Sequence, residues 1–597
     1  MRKADICLDV HRSRGVRGLP LERVYKHLFD PELFLRAYGR LYRNKGAMTK
    51  GTTEETVDGM RLQLIHETID LLKAEKFKWT PVRRTEIPKG EGKIGTRPLG
   101  IPTWPNKLVQ EVLRSLLEPY YEVRFSTHSH GFRPERSCHS ALREIRDEWK
   151  GTVWFIEGDI SKCFDSIDHS VLLKIIRRDI HDDRLLRLID DLLKSGCMAD
   201  WRYVETTSGT PQGGIISPLL SNIYLNELDR YVEDTLIPQY TRGETRRANP
   251  AYTRIRYLLT QAKEDGNRAA VKRLVAERRK LLCSDPCDPD YRRLRYVRYA
   301  DDFLLGFVGP ANEAREIRDR LGEFLERELK LTLSKEKTLI THAVDEKARF
   351  LGYEITVSRD GNKLAEDGRR ATNGRVSLLM PRKVVVKYRK RYSRNGKIIH
   401  RPELLNDRIY TIAQRYQGIL VGVYNYWCMA SNVSKRMSHI KWILQTSLLK
   451  TLASKLKTKM RKVYKKFRVP NQEPTMLRFE ENRPGKEPLV ATFGGVSFKK
   501  KPEGMGKDGF DARQAWHRPA GCRSEAVMHM LHGECVLCGM KGVEMHHIRK
   551  LADIDKPGRR PKQKWERIMA ARRRKTIPVC ERCHDDIHAG RYDGRRL

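Results

Sequence analysis

Apolar positions in the first 80 residues recur at helical spacing, as in Leu28, Leu33, Leu35 and again in Leu62, Ile65, Ile69, Leu72, and Pro31 suits a helix start. The pattern predicts a helical lead-in over 1–80. From Pro81 the texture changes to Ile87-Pro88-Lys89-Gly90-Glu91-Gly92-Lys93-Ile94-Gly95-Thr96-Arg97-Pro98-Leu99-Gly100-Ile101-Pro102, where Gly and Pro forbid a helix and favour extended strands joined by a basic loop. Mixed strand and helix patterns fill 81–370. Within them a charged stretch at about 241–293, helical around 269–282, reads as an insertion. Beyond about 375 the strand signals fade, and Ile409 to Ala430 and Ile440 to Lys457 show long helical periodicity opposite a Lys/Arg face, predicting a basic helical domain over 371–480. Residues 481–523, rich in Gly, Pro and Lys without periodicity, read as a basic linker or DNA-binding segment, and a compact Cys/His unit fills 524–597. The predicted class is α+β and multidomain, with no internal repeat.

Composition narrows the partner. The 597 residues suffice for several domains, and 118 Lys and Arg against 76 Asp and Glu leave a net charge of +42, which points to a polyanion, nucleic acid first. An anionic membrane is the weaker alternative: no run of about 18 apolar residues exists, and mean hydropathy is −0.63. No apolar signal-peptide core follows Met1-Arg2-Lys3-Ala4-Asp5, so the twelve cysteines are expected to be reduced thiols or metal ligands in an intracellular setting. Asp5, Asp9 and Glu22 argue mildly against a mitochondrial transit peptide, although an organellar origin stays open.

Leu294 to Val308 carries Arg298-Tyr299-Ala300-Asp301-Asp302-Phe303-Leu304-Leu305, apolar on both sides of two acids, so a strand, a tight turn and a second strand would put the acids at a tip. Upstream, Val153-Trp154-Phe155-Ile156 is a buried-strand run leading to Asp159, which begins Asp159-Ile160-Ser161-Lys162-Cys163-Phe164-Asp165. Neighbouring strands would bring Asp159 to Asp301, a repulsive cluster unless it binds hard cations such as Mg²⁺ through oxygen. Two such ions would serve an in-line phosphoryl transfer. An isolated Asp-Asp pair more commonly just caps a turn, and the surrounding motifs decide against that reading.

Those motifs, in chain order, are Arg97-Pro98-Leu99-Gly100-Ile101-Pro102, His130-Gly131-Phe132-Arg133-Pro134, the Asp159 run, Gly209-Thr210-Pro211-Gln212-Gly213-Gly214, Tyr299-Ala300-Asp301-Asp302, Leu333-Ser334-Lys335-Glu336-Lys337-Thr338 and Phe350-Leu351-Gly352-Tyr353. The series resembles a reverse transcriptase, specifically the protein encoded by a group II intron, over nearly the whole chain. The resemblance implies a right-hand polymerase with fingers and palm over 81–370 and a helical thumb, or maturase, domain over 371–480. Asp159, Asp301 and Asp302 would hold two Mg²⁺ ions, with Asp302 and Asp165 ranked lower as direct ligands. By the same resemblance Phe164 would lie against the sugar and collide with a 2′-hydroxyl, which favours deoxynucleotides. Arg97 and, less securely, Lys93 would contact the triphosphate. Gln212 and Gly213 would line the pocket of the incoming base pair, and Lys337 would protonate the leaving group. Ser217-Pro218, followed by Leu220, Tyr224, Leu228 and Tyr231 on one face, predicts a helix after the glycines. Among the thumb residues, the aromatic stripe Tyr416, Leu420, Tyr424, Tyr426, Trp427 is expected to be mostly core.

Near the C-terminus Cys535-Val536-Leu537-Cys538 and Cys580-Glu581-Arg582-Cys583 form two knuckles suited to one structural zinc site. Glu544-Met545-His546-His547 and the i, i+4 pair His584 and His588 are surplus to such a site. The arrangement resembles an HNH endonuclease, a small ββα-metal domain. It casts His546, His584 and His588 as metal-side residues, His547 as general base and Glu544 as an orienting group. No Asn lies between His547 and Cys580, so the middle letter of that pattern is missing and His584 is cast in its place. The expected activities are RNA-directed DNA polymerase and DNA endonuclease; the expected partners are group II intron RNA, target DNA and deoxynucleoside triphosphates, with a homodimer left open. A bacterial cytoplasmic ribonucleoprotein is the expected setting. The rivals are an RNA-binding splicing cofactor with an inert polymerase and a reverse transcriptase of a defence or retron-type system.

Overall fold

The structure is a computed structural model that describes residues 2–44, 46–88, 95–199, 202–204, 209, 213–281, 283–285, 288–334, 336–358, 374–483, 486–504, 525–549, 563–572 and 574–591. Lys93 and Gln212 lie outside them.

The lead-in forms helices Arg2–Val16, Pro31–Leu41 and Leu62–Lys73. Asp30 caps the second, its side chain accepting from the Glu32 backbone N–H, and Pro31 starts it as expected. The first helix lies along Trp104–Glu122 so closely that a Cβ on Gly15 would come within 2.4 Å of the Tyr120 carbonyl oxygen. Leu28, Ile65, Ile69 and Leu72 join Leu108, Leu113, Ile156 and Phe303 in one apolar core, which binds the lead-in to the fingers and palm. The basic loop region is the predicted hairpin: Val82–Pro88 pairs antiparallel with Thr96–Ile101.

The palm is a four-stranded antiparallel sheet in the order Leu339–His342, Trp154–Asp159, Asp302–Val308, Arg293–Tyr299. Side chains alternate across it, which explains why its strands read as unbroken apolar runs. Ile156, Tyr296, Phe303 and Leu305 face the core shared with the lead-in, while Phe155, Val297 and Leu304 face a second core shared with the thumb. The charged insertion is a helical pair, Pro250–Glu264 and Arg268–Lys280, closed on a small core of Leu259, Ala262 and Leu274. Of its first helix only Leu259 and Ala262 are buried.

The thumb consists of Arg382–Tyr392, Ile409–Trp427, Val433–Lys455 and Met460–Phe467. Tyr416, Leu420, Tyr424 and Trp427 are buried, as the periodicity implied. One expectation needs correction: the linker assigned from 481 does not begin there. Met476–Arg483 and Lys486–Gly494 form an antiparallel hairpin packed on the thumb, with Leu477, Phe479, Ala491 and Phe493 pointing into its core. Charged residues alternate with these on the outer face of the ribbon, the period-2 pattern of a half-buried strand. Among the described residues no helix is long and apolar enough to cross a membrane.

The C-terminal unit is a β-hairpin, Val543–His547 with Thr576–Cys580, followed directly by helix Glu581–His588. A preceding helix, Glu525–His532, places Ala526, Val527 and Met530 in the same core as the N-terminal lead-in, together with Met545 of the hairpin.

Candidate active sites

The palm register sets the first site. Tyr299 pairs with Asp302 across a two-residue turn, and Asp302 also lies opposite Asp159, so the three acids converge at one end of the sheet. Ala300 takes a left-handed φ of 57° to make that turn. Asp302 is pushed up to about 7 by burial, then by Asp301 and by Asp159, to which it hydrogen-bonds. Asp301 is also raised by burial and by Asp159, while Lys337 and Arg97 draw it down. Packed carboxyl groups that suppress each other's ionisation are what a dication would relieve. Lys337 is beside them, its Nζ 2.6 Å from Asp159 Oδ2. It is placed by Leu333 and Ser334: Ile160 bridges to Leu333, and the Ser334 N–H donates to the Asp159 carbonyl at 2.9 Å.

Buried polar groups hold the turn. Arg298 is fully buried; its Nε and Nη2 bond Asp229 at 2.7 and 2.6 Å, and its Nη1 donates to the Ala300 carbonyl at 2.9 Å. Asp229 lies on helix Ser217–Tyr231, the one foreseen from Ser217-Pro218, and also accepts from the Tyr296 hydroxyl at 2.8 Å. The His130-Gly131 segment braces the turn from outside. The His130 N–H donates to the Arg298 carbonyl at 2.9 Å, and a Cβ on Gly131 would stand 2.3 Å from the Ala300 nitrogen. Arg133 is buried and structural, its Nη1 on the Ser129 carbonyl at 2.8 Å.

Of the other expected palm residues, Phe164 follows Lys162, itself left-handed at φ 47°, and its ring meets Phe132 edge to face at 6.2 Å. Gly213, at φ 106°, leaves no room for a side chain: a Cβ would be 2.5 Å from the Gly100 carbonyl oxygen on the fingers strand. Arg97 is exposed on that strand. Phe350-Leu351-Gly352-Tyr353 turns out to be the joint to the thumb: Tyr426 Oη donates to the Leu351 carbonyl at 2.8 Å, and the Tyr353 and Trp427 rings lie 4.5 Å apart.

At the other end of the chain two clusters sit on the ββα unit. The Sγ atoms of Cys535, Cys538, Cys580 and Cys583 lie within 4.8 Å of one another. Burial opposes ionisation of Cys535, but backbone N–H groups of Cys580, Cys538 and Leu537 hold it at about 7, while Cys583 is pushed up by burial and its neighbours. Four thiols so close suit a cation that takes their protons' place, the donor set of a structural zinc. The second cluster joins His546, His584 and His588 with a residue the sequence gave no hint of, Asp58. His584 Nδ1 contacts Glu544 Oε2 at 2.9 Å; Nε2 of buried His546 has no hydrogen-bond partner, and its Nδ1 has only Asp58 Oδ1, at 3.4 Å. Unsatisfied buried imidazole nitrogens facing other donors fit a metal ion. His547 is 3% exposed; its Nδ1 bonds the Met545 carbonyl at 2.7 Å and its Nε2 the Tyr38 hydroxyl at 3.3 Å.

Family models match in the same order as these sites: a reverse transcriptase (RNA-dependent DNA polymerase) over 87–355, a type II intron maturase over 377–501, and an AI2M/AI1M-like HNH endonuclease over 535–584. The group II intron-encoded protein LtrA of Lactococcus lactis is 37% identical over 588 residues, 95% of each chain. The chain belongs to the group II intron-encoded proteins. It is an RNA-directed DNA polymerase and a DNA endonuclease joined by a maturase domain. A 91 kDa protein in the cob intron of Schizosaccharomyces pombe is 34% identical over 97% of this chain and 71% of its own length. A solved telomerase structure from Candida albicans matches at 12% identity and a TM-score of 0.34, covering 66% of this chain and 57% of that one, too distant to add an argument.

Within this family framework the motifs foreseen in the sequence fall at the palm acids, the four-cysteine cluster and the histidine cluster. Asp229, Arg298 and Asp58 were missed. Arg298 did carry a signal: strand alternation puts it on the same face as Leu294 and Tyr296, and a cation on a buried apolar face must find a buried partner. Asp58 carried none.

Proposed function

We propose that this protein assists splicing of its own intron RNA, nicks target DNA with the C-terminal module, and copies the RNA into cDNA from the freed 3′-hydroxyl. The observation that carries the reading is the convergence of Asp159, Asp301 and Asp302 beside Lys337 in a chain that also bears the histidine cluster. Magnesium ions held by the three acids would, when bound, lower the pKa of the primer hydroxyl and offset charge on the leaving pyrophosphate. The protein's part is placement. Arg97 and Lys337 present cations to the triphosphate, Phe164 excludes a 2′-hydroxyl by bulk, and Gly213 lets backbone approach the nascent base pair. Lys93 and Gln212 complete the expected contacts.

The nuclease reading assigns His547 to take a proton from the attacking water once the site is open, with His546, His584 and His588 holding the ion and the four cysteines a structural Zn²⁺. The exposed basic face of Arg382–Tyr392, with Lys383, Arg389 and Lys390, suits RNA phosphates, and such binding weakens steeply with salt. A ribonucleoprotein in a bacterial cytoplasm is the setting this reading favours.

Two variants test the assignment together. Asp301→Ala should cut Mg²⁺-dependent primer extension on an RNA template by about 10³-fold or more while intron RNA binding persists. His547→Ala should abolish nicking yet leave extension of a pre-nicked duplex intact. Extension that survives Asp301→Ala contradicts the polymerase assignment.

A further inference from the structure

The backbone beside Asp58 makes a one-residue β-bridge to the nuclease hairpin. The Gly59 N–H donates to the Met545 carbonyl at 3.2 Å, and the Met545 N–H donates to the Met60 carbonyl at 3.0 Å. Gly59, at φ 76°, turns the chain across His584. Arg61 pins the far side by an ion pair to Glu544 at 2.7 Å. The carboxylate of Asp58 is thereby delivered among the imidazoles: Oδ2 is 2.9 Å from His588 Nε2, and Oδ1 is 3.1 Å from His584 Nε2 and 3.4 Å from His546 Nδ1. Oδ1 also accepts the His547 backbone N–H at 2.7 Å. Tyr38 and Tyr42, from the same N-terminal region, cover the His547 ring.

We propose that Asp58 is an intramolecular ligand of the nuclease ion, standing where the scissile phosphate must enter, so that the N-terminal segment around it holds the endonuclease closed until DNA displaces it. The proposal rests on the nuclease reading of the histidine cluster. Three imidazoles form a neutral donor set, to which a hard anionic oxygen is the natural complement, and a carboxylate and a phosphodiester oxygen compete for that place. A general base must reach the water it activates. Here both ring nitrogens of His547 are engaged within the protein and the ring is buried, so no water-bearing substrate reaches it in this arrangement. Displacement must part Val57 and Met60 from the core they share with Met545, but the backbone pairing to be broken is one residue deep and Arg61 lies at the rim, with 40% of its side chain exposed.

The test uses the full chain in complex with its intron RNA, as wild type, Asp58→Ala and Asp58→Asn. In an Asp159→Ala/Asp301→Ala/Asp302→Ala background, which removes the three palm acids, Mn²⁺ binding followed by electron paramagnetic resonance without DNA should weaken about 10-fold in Asp58→Ala. Amide hydrogen exchange of peptides covering 57–61 and 543–547 should be slow in the wild type. It should speed up about 10-fold in Asp58→Ala, and in the wild type on adding target duplex DNA. With the palm acids intact, Asp58→Ala should nick that duplex several-fold faster, with zinc content unchanged and Asp58→Asn falling between. Slower or unchanged nicking in Asp58→Ala, or Mn²⁺ affinity and exchange equal to wild type, overturns the proposal. Nicking that neither wild type nor Asp58→Ala performs overturns the nuclease reading beneath it, and the exchange data then report separately whether Asp58 clasps the hairpin.

Discussion

In the palm, two of the three acids face each other in one antiparallel register and the third sits on the turn that joins two of the same strands. In the C-terminal module the three histidines come from one hairpin and its helix, but the carboxylate among them belongs to a residue 489 positions before His547. The palm site is therefore assembled by secondary structure and braced by a buried ion pair. The histidine cluster depends instead on docking between distant segments. A site built into a sheet is present whenever the sheet is, whereas one completed by docking can be opened and closed.

The sharpest break of this contrast is Cys535→Ser. Losing one thiolate should release zinc and unfold the small ββα unit, since such domains owe their folding to the metal, while primer extension persists. Zinc released to a chromogenic chelator and extension assayed on the same sample check both halves. Asp229→Asn attacks the palm alone. Leaving Arg298 buried without its counter-charge should destabilise the palm by roughly 3–5 kcal/mol, read by denaturant unfolding, and lower extension without loss of zinc.

How much of this was legible beforehand follows the same divide. Asp159, the Asp301 tip and the two cysteine knuckles were read from short runs because each run is itself a strand end, a turn or a knuckle. The hairpin at 476–494 was missed although Leu477 and Phe479 alternate with Arg478 and Glu480 at strand period, because the alternation is short and runs into the Gly-, Pro- and Lys-rich stretch that follows. Asp58 was invisible, since its meaning arises only from a partner segment at the far end of the chain. The burial of His547 was hidden for the same reason, as the Tyr38 and Tyr42 rings that cover it sit in another domain's helix and its end.

A smaller effect concerns pH. With its carboxyl raised to about 7 by burial and by the neighbouring acids, Asp302 favours the folded state while protonated. In chelator the palm should lose stability as pH rises from the ordinary carboxylate range through about 7. Thermal melts in EDTA should then show a lower transition at pH 8 than at pH 5, by about 2–4 °C for each kcal/mol lost, and Asp302→Asn should flatten that difference. Mg²⁺ should raise the pH 8 transition of the wild type only.

The most direct measurement is anomalous diffraction from crystals of the full chain soaked in Mn²⁺ with primer-template and a non-hydrolysable deoxynucleotide. The account predicts peaks between Asp159 and the Asp301-Asp302 tip, within coordination distance of their carboxylate oxygens. Peaks elsewhere in the palm, with the three acids occupied only by Lys337 and one another, would contradict it.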